Sequence, residues 1–192
     1  MCMPTYRKST IYTDSSAEDK YALGVIQSNA EFFRLNEFLK MHKLHIIVKP
    51  HPLQLLDGQF LTSVSNIHYI VNEQLFKKQI LLYELIGCCD ALLTDFSSVF
   101  FDYLVLNRPV AFFMNDFEKY DRGFIMDNPF DYMPGEKIYH LNDLYLFLQN
   151  VVRESDQYHE ERTRVNGLVN FSDRPDNAQC FVQYMMREDK TV

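Results

Sequence analysis

Short apolar runs alternating with stretches of helical period narrow the folds open to this chain more than any other feature. "HIIVKPHP" (45–52), "NIHYIV" (66–71), "ALLT" (91–94), "VAFFM" (110–114) and "KIYH" (137–140) read as strands. Between and after them, residues 31–44, 74–90, 98–106, 141–154 and 177–188 carry apolar residues at helical spacing, and Gly87 is placed to end the second of these helices. Strands that alternate with helices build a parallel sheet covered on both faces, and strands this apolar are expected to be buried on both sides. The expected fold class is therefore α/β. The 192 residues suit one domain, and 47% hydrophobic content is enough for a core.

In such sheets ligands bind beyond the carboxyl ends of the strands. That rule selects three loops: "KPHP" (49–52), "TDFSS" (94–98) and "NDFEKYDRGF" (115–124). In the second, Ser97 and Ser98 stand where a strand gives way to a helix. Their hydroxyls can cap that helix, or join its first N–H groups in holding an anion. Asp102 follows Ser98 by four residues, about one helical turn, where a carboxylate can accept from ribose hydroxyls. The stretch suits a nucleotide diphosphate, although Asp95 and the serines also fit a plain helix cap.

In "KPHP" two prolines restrict the backbone around His51, which could donate to a phosphate or a leaving group; an inconsequential turn histidine is the plainer reading. Arg122 could bind phosphate, with Asp116 and Glu118 orienting it, or the loop could be ordinary charged surface. "HEERT" (159–163) has only one histidine of a zinc-protease helix and reads as a solvated helix face, while Met185 and Met186 read as packing residues. No zinc-ligand spacing links His42 and His45. The net charge of −7 disfavours a nucleic-acid surface, and Cys2, Cys88, Cys89 and Cys180 have no disulfide pattern, so reduced thiols are expected.

"MPTYR", "VKPHP", "DALLTDFSSVFFDYLVLNRPVAFF", "DFEKYDRGF" and "PGE" follow the order and spacing of the CDP-glycerol:poly(glycerophosphate) glycerophosphotransferases, which the chain resembles from Met3 to about Asn177. The resemblance implies a Rossmann-like parallel sheet, the C-terminal, donor-binding half of a GT-B fold, with residues 1–192 as one CDP-alcohol-binding domain. It implies that His51 contacts the diphosphate and steadies the leaving CMP, and that Ser97 and Ser98 hold the diphosphate. Asp102 would meet the ribose, and Lys49, Thr94, Asp95, Asp116 and Arg122 would complete the donor site. CDP-glycerol or another CDP-alcohol is the implied ligand, with a lipid-linked polymer as acceptor in the full enzyme and a cytoplasmic position at the inner face of the plasma membrane. No cofactor or obligatory metal is expected.

The chain departs from the family pattern in several ways, among them the ending "DRPDNAQC", which matches the family's close only loosely. The preceding acceptor-binding domain, with its catalytic histidine, is not in these residues. Only three residues stand before "PTYR", so the first strand is expected to be largely missing. Glu136 follows "PG" where the family often has proline. A separate N-terminal GT-B half would supply the other wall of the cleft. Two other readings compete: a GT-B sugar-nucleotide glycosyltransferase or epimerase, which would usually carry glycines in place of the serines, and a non-catalytic remnant that keeps the fold.

Overall fold

The computed structural model describes residues 1–5, 21–51, 62–115, 117–119, 127–170 and 176–188. Helix α1 (Asn29–Met41) leads into β1 (Ile46–Val48), followed by β2 (Ile67–Tyr69), α2 (Asn72–Lys77), α3 (Leu82–Gly87) and β3 (Leu92–Thr94). Helix α4 (Val99–Tyr103) passes into a 3-10 turn (Leu104–Leu106), then come β4 (Val110–Phe113), β5 (Glu136–Ile138), α5 (Leu141–Val152), α6 (His159–Val169) and α7 (Asn177–Glu188). All described strand pairs are parallel: Ile46 faces Ile67, Leu92 faces Val110, and Ala111 faces Glu136.

Two groups of strands, β1–β2 and β3–β4–β5, are joined by the first residues of the chain. Cys2 bridges Val48 on one side and Leu93 on the other, both in parallel sense. Its N–H donates to Ile47 O (2.7 Å), Lys49 N–H donates to Cys2 O (2.9 Å), and Met3 N–H donates to Leu93 O (2.9 Å). Of the first strand, expected to be largely missing, three residues thus take the central place. Counting them as the first strand gives the order 3-2-1-4-5-6 of the doubly wound dinucleotide-binding sheet. Cys2 is fully buried and its thiol lies 3.5 Å from Ala22 O; none of the four cysteines forms a disulfide.

Both faces of the sheet are covered, as the apolar strands require. Along β4 the side chains alternate: Ala111 and Phe113 join a core with Leu35 and Leu39 of α1 and Leu144 and Phe147 of α5. Val110 and Phe112 join the opposite core with Phe100, Tyr103 and Leu104, and with Val165 of α6. Helix α1 starts on a capping box in which Ser28 Oγ accepts from Glu31 N–H (3.2 Å) and Glu31 accepts from the Ser28 N–H (3.1 Å).

Three elements differ from the sequence reading. Residues 74–90 form two short helices, because Gln79 takes a left-handed conformation (φ 57°) and Ile80 N–H turns back to Leu75 O at 3.0 Å. The chain restarts where Glu84 accepts from Leu81 N–H (3.1 Å). "HEERT" is not wholly solvated: Arg162 is completely buried at the centre of a polar cluster. Met185 and Met186 of α7 are exposed, as are Phe181 and Val182.

Gly135, just before β5, shows how closely the strand edge is packed. A Cβ there would stand 2.2 Å from Val110 O and 2.9 Å from Val110 C, both backbone atoms of β4. Gly135→Ala is expected to cost at least the roughly 1–3 kcal/mol of an overpacked core, because β4 cannot yield without losing its register. Urea denaturation checks this, with an unchanged midpoint as the contrary result.

Candidate functional site

The strand order places a crevice at the carboxyl ends of residues 1–3 and β3, where crossovers leave in opposite directions. Pro4–Thr5, the "TDFSS" loop and, one strand over, Lys49 and His51 therefore share one edge.

Asp95 is fully buried and organises this edge. Both its oxygens accept from Thr5 N–H (3.0 and 2.9 Å), Oδ1 accepts the Thr5 hydroxyl (2.6 Å), and Oδ1 also accepts Ser97 N–H (3.2 Å). Thr94, also fully buried, donates its hydroxyl to Met3 O at 2.9 Å. These two residues fasten the first loop to the "TDFSS" loop. Their described hydrogen bonds go to protein, a different placement from direct ligand contact.

Ser97 and Ser98 are placed otherwise. Ser98 stands at the N-cap of α4 with helical backbone angles and makes no side-chain capping bond. Within the described residues, neither serine hydroxyl is engaged, while the Phe101 N–H is taken by Ser98 O at 3.0 Å. The cap that these residues could have formed is absent, and two hydroxyls remain available at the crevice.

Lys49 follows β1 and is only 9% exposed, yet among the described residues its ammonium has no hydrogen bond or ion pair. Burial holds its pKa below the usual lysine value. An ammonium desolvated without a partner is costly, and an anion beside it would remove that cost. His51, half-buried, lies two residues further along the same loop.

Asp102 is exposed on α4, and its Oδ2 accepts the Tyr83 hydroxyl of α3 at 2.7 Å. The "TDFSS" loop is also tied to the loop after β4: Phe96 packs on Phe117 (ring centroids 5.7 Å apart), which packs on Phe130 (4.9 Å). Asp116 and Arg122 lie outside the described residues. Thr5 and Tyr83 were not singled out from the sequence. Thr5 lies within "MPTYR" and nothing about its neighbours marks it as the partner of Asp95. Tyr83 was hidden in a segment that reads as one helix.

The strand order and this edge define a doubly wound α/β fold whose crevice carries a buried lysine and two open hydroxyls. The family model for CDP-glycerol:poly(glycerophosphate) glycerophosphotransferase matches residues 1–185, and the chain belongs to that family. A teichoic acid glycerol-phosphate transferase of Staphylococcus aureus (strain NCTC 8325 / PS 47) is 34% identical over 122 residues, covering 57% of this chain and 31% of the relative. A teichoic acid poly(glycerol phosphate) polymerase of Staphylococcus epidermidis is 42% identical over 81 residues, 41% of this chain and 11% of the relative. Among solved structures, the wall teichoic acid polymerase TagF superposes with a TM-score of 0.65 at 25% identity, covering 98% of this chain and 43% of TagF. The H444N variant of TagF, soaked for 15 minutes with CDPG, superposes with a TM-score of 0.67. The chain thus spans less than half the length of each of these proteins. Among the described residues no helix is long and apolar enough to cross a membrane.

Proposed function

We propose that these residues form the donor-binding half of a glycerophosphotransferase of teichoic-acid or related cell-surface polymer synthesis. The donor is CDP-glycerol, and the acceptor is a hydroxyl of a lipid-linked polymer at the inner face of the plasma membrane. The observation that carries this reading is the partly desolvated Lys49 ammonium, without a partner among the described residues, on the same strand edge as the two uncommitted hydroxyls of Ser97 and Ser98. Cation and hydroxyls together suit a diphosphate.

In the reaction the acceptor oxygen attacks the glycerol-bearing phosphorus. The bond from that phosphorus to the oxygen bridging the CMP phosphate breaks, CMP leaves with the electron pair, and the acceptor proton passes to a base. Lys49, Ser97 and Ser98 hold and neutralise the diphosphate, and His51 steadies the departing CMP phosphate. Asp102 meets the ribose. Asp95 and Thr94 act one step back, by holding Thr5 and Met3 so that the crevice keeps its shape. Asp116 and Arg122, which lie outside the described residues, are part of the same proposed donor set.

Thermal unfolding with added nucleotides tests the donor. CDP-glycerol at a hundred times its dissociation constant should stabilise the chain by about 2.7 kcal/mol, CDP-ribitol or CMP somewhat less, and UDP-N-acetylglucosamine hardly at all. The double variant Ser97→Ala, Ser98→Ala should lose most of the response while unfolding as the parent does without ligand, since neither side chain caps α4. Preference for the uridine sugar nucleotide overturns the reading in favour of a glycosyltransferase-like domain. No response to any nucleotide points to a non-binding remnant.

A further inference from the structure

We propose that Tyr83 is a positioning residue of the donor site, holding one oxygen of Asp102 so that the other is presented to a ribose hydroxyl; this rests on the reading of Asp102 as the ribose contact. The Tyr83 hydroxyl donates to Asp102 Oδ2 at 2.7 Å, from α3 across to α4. Among the described residues Asp102 Oδ1 has no hydrogen bond, so the carboxylate is half engaged and half open.

The pairing makes little sense as a support of the fold. Asp102 is exposed and Tyr83 is 61% exposed, and a hydrogen bond in that setting adds little over the ones water would make. Its effect is on orientation. A free aspartate on a helix surface rotates about two side-chain bonds, and the tyrosine removes that freedom before a ligand arrives. A phenol also does this without cancelling the charge, as a lysine or arginine would. The open oxygen therefore keeps its full strength as an acceptor for a sugar hydroxyl. The hydrogen bond to Asp102, with some burial, raises the Tyr83 pKa above the usual tyrosine value, so the phenol remains the donor throughout the neutral range. The ligand class this selects is a ribonucleotide carrying a vicinal diol.

The test is calorimetric binding of CMP and of 2′,3′-dideoxy-CMP to the full 192-residue chain, its Tyr83→Phe variant and its Asp102→Asn variant. The parent should prefer CMP by about tenfold, the worth of one hydrogen bond to a charged group. Tyr83→Phe should weaken CMP about three- to fivefold and leave the dideoxy nucleotide unchanged, because only the diol reads the orientation of the carboxylate. Asp102→Asn should abolish the preference. Equal weakening of both nucleotides by Tyr83→Phe, or no weakening of either, overturns the positioning role. Equal binding of the two nucleotides by the parent overturns it too, while leaving the donor site standing. Failure of the parent to bind CMP at all overturns the donor reading and this inference together. Circular dichroism of each variant, expected to match the parent, separates a binding loss from a folding loss.

Discussion

Supplied with CDP-glycerol and a lipid-linked glycerophosphate acceptor, the 192 residues alone should release CMP no faster than a blank. The chain matches 43% of TagF, and in the proposed reading the edge described above forms one wall of a cleft. In that reading an assay holding these 192 residues alone supplies no facing wall for the acceptor, and the advantage of holding two reactants together, up to roughly 7–11 kcal/mol of barrier, would be lost. Water also reaches the phosphates freely and weakens the pull of Lys49 on them. Fusion to the amino-terminal part of a relative such as the Staphylococcus aureus transferase should restore acceptor-dependent release. In that fusion His51→Ala should lower it by about two to four orders of magnitude while the melting curve stays in place. Robust acceptor-dependent release by the 192 residues alone would mean that the base lies within them and that this division of labour is wrong.

Arg162→Ala should destabilise the chain by about 3 kcal/mol, the low end of what breaking a buried ion pair costs. The guanidinium is fully buried, donates to Asp156 through NH1 (3.0 Å) and NH2, and reaches Asn107 Oδ1 (3.0 Å) and Asn107 O (3.2 Å). Asn107 is held at φ 47°, in the turn between the 3-10 segment and β4, so the pair fastens α6 to the end of the α4 crossover. The low end applies because the Asp156 side chain is 22% exposed and water can take over part of its charge. Burial alone would raise the Asp156 pKa. The hydrogen bonds from Arg162 and the Tyr158 N–H, with the guanidinium charge, outweigh it and hold the carboxyl below the usual aspartate value. The stabilisation is therefore complete above the pKa of the unfolded carboxyl, near 4, and is lost as pH falls through the lower folded value. Guanidinium denaturation between pH 3 and 7 should show a shallower acid slope in the variant than in the parent. Parallel slopes would place the origin of acid sensitivity elsewhere.

The alternating layout was legible because strand and helix periods differ and each apolar run was bounded by a polar or proline-bearing loop. "TDFSS" and "KPHP" were legible as edge loops for the same reason. The break at Gln79 was not, since a left-handed residue that is neither glycine nor asparagine leaves no mark. Arg162 was misjudged because "HEERT" by itself is charged at every other glance; its burial depends on Asn107 and Asp156, which are distant or merely adjacent in sequence. In the sequence Asp95 and Ser98 fit a plain helix cap equally well. Only the fold separates them, by setting Thr5 against the first and leaving the second open.

The clip at Cys2 has a kinetic side. The middle position of the sheet is filled by residues 1–3, but its neighbours, Val48 and Leu93, lie far along the chain from them. Until β3 docks, residues 1–3 can pair with β1 only, and residues 1–3 and β3 each show an open parallel edge. Closure of the sheet is thus a long-range event, of the kind that slows folding far more than it alters final stability. Lesions at Cys2 should be felt first as slow assembly and as association between the two bare edges of different molecules, before any ligand is missed.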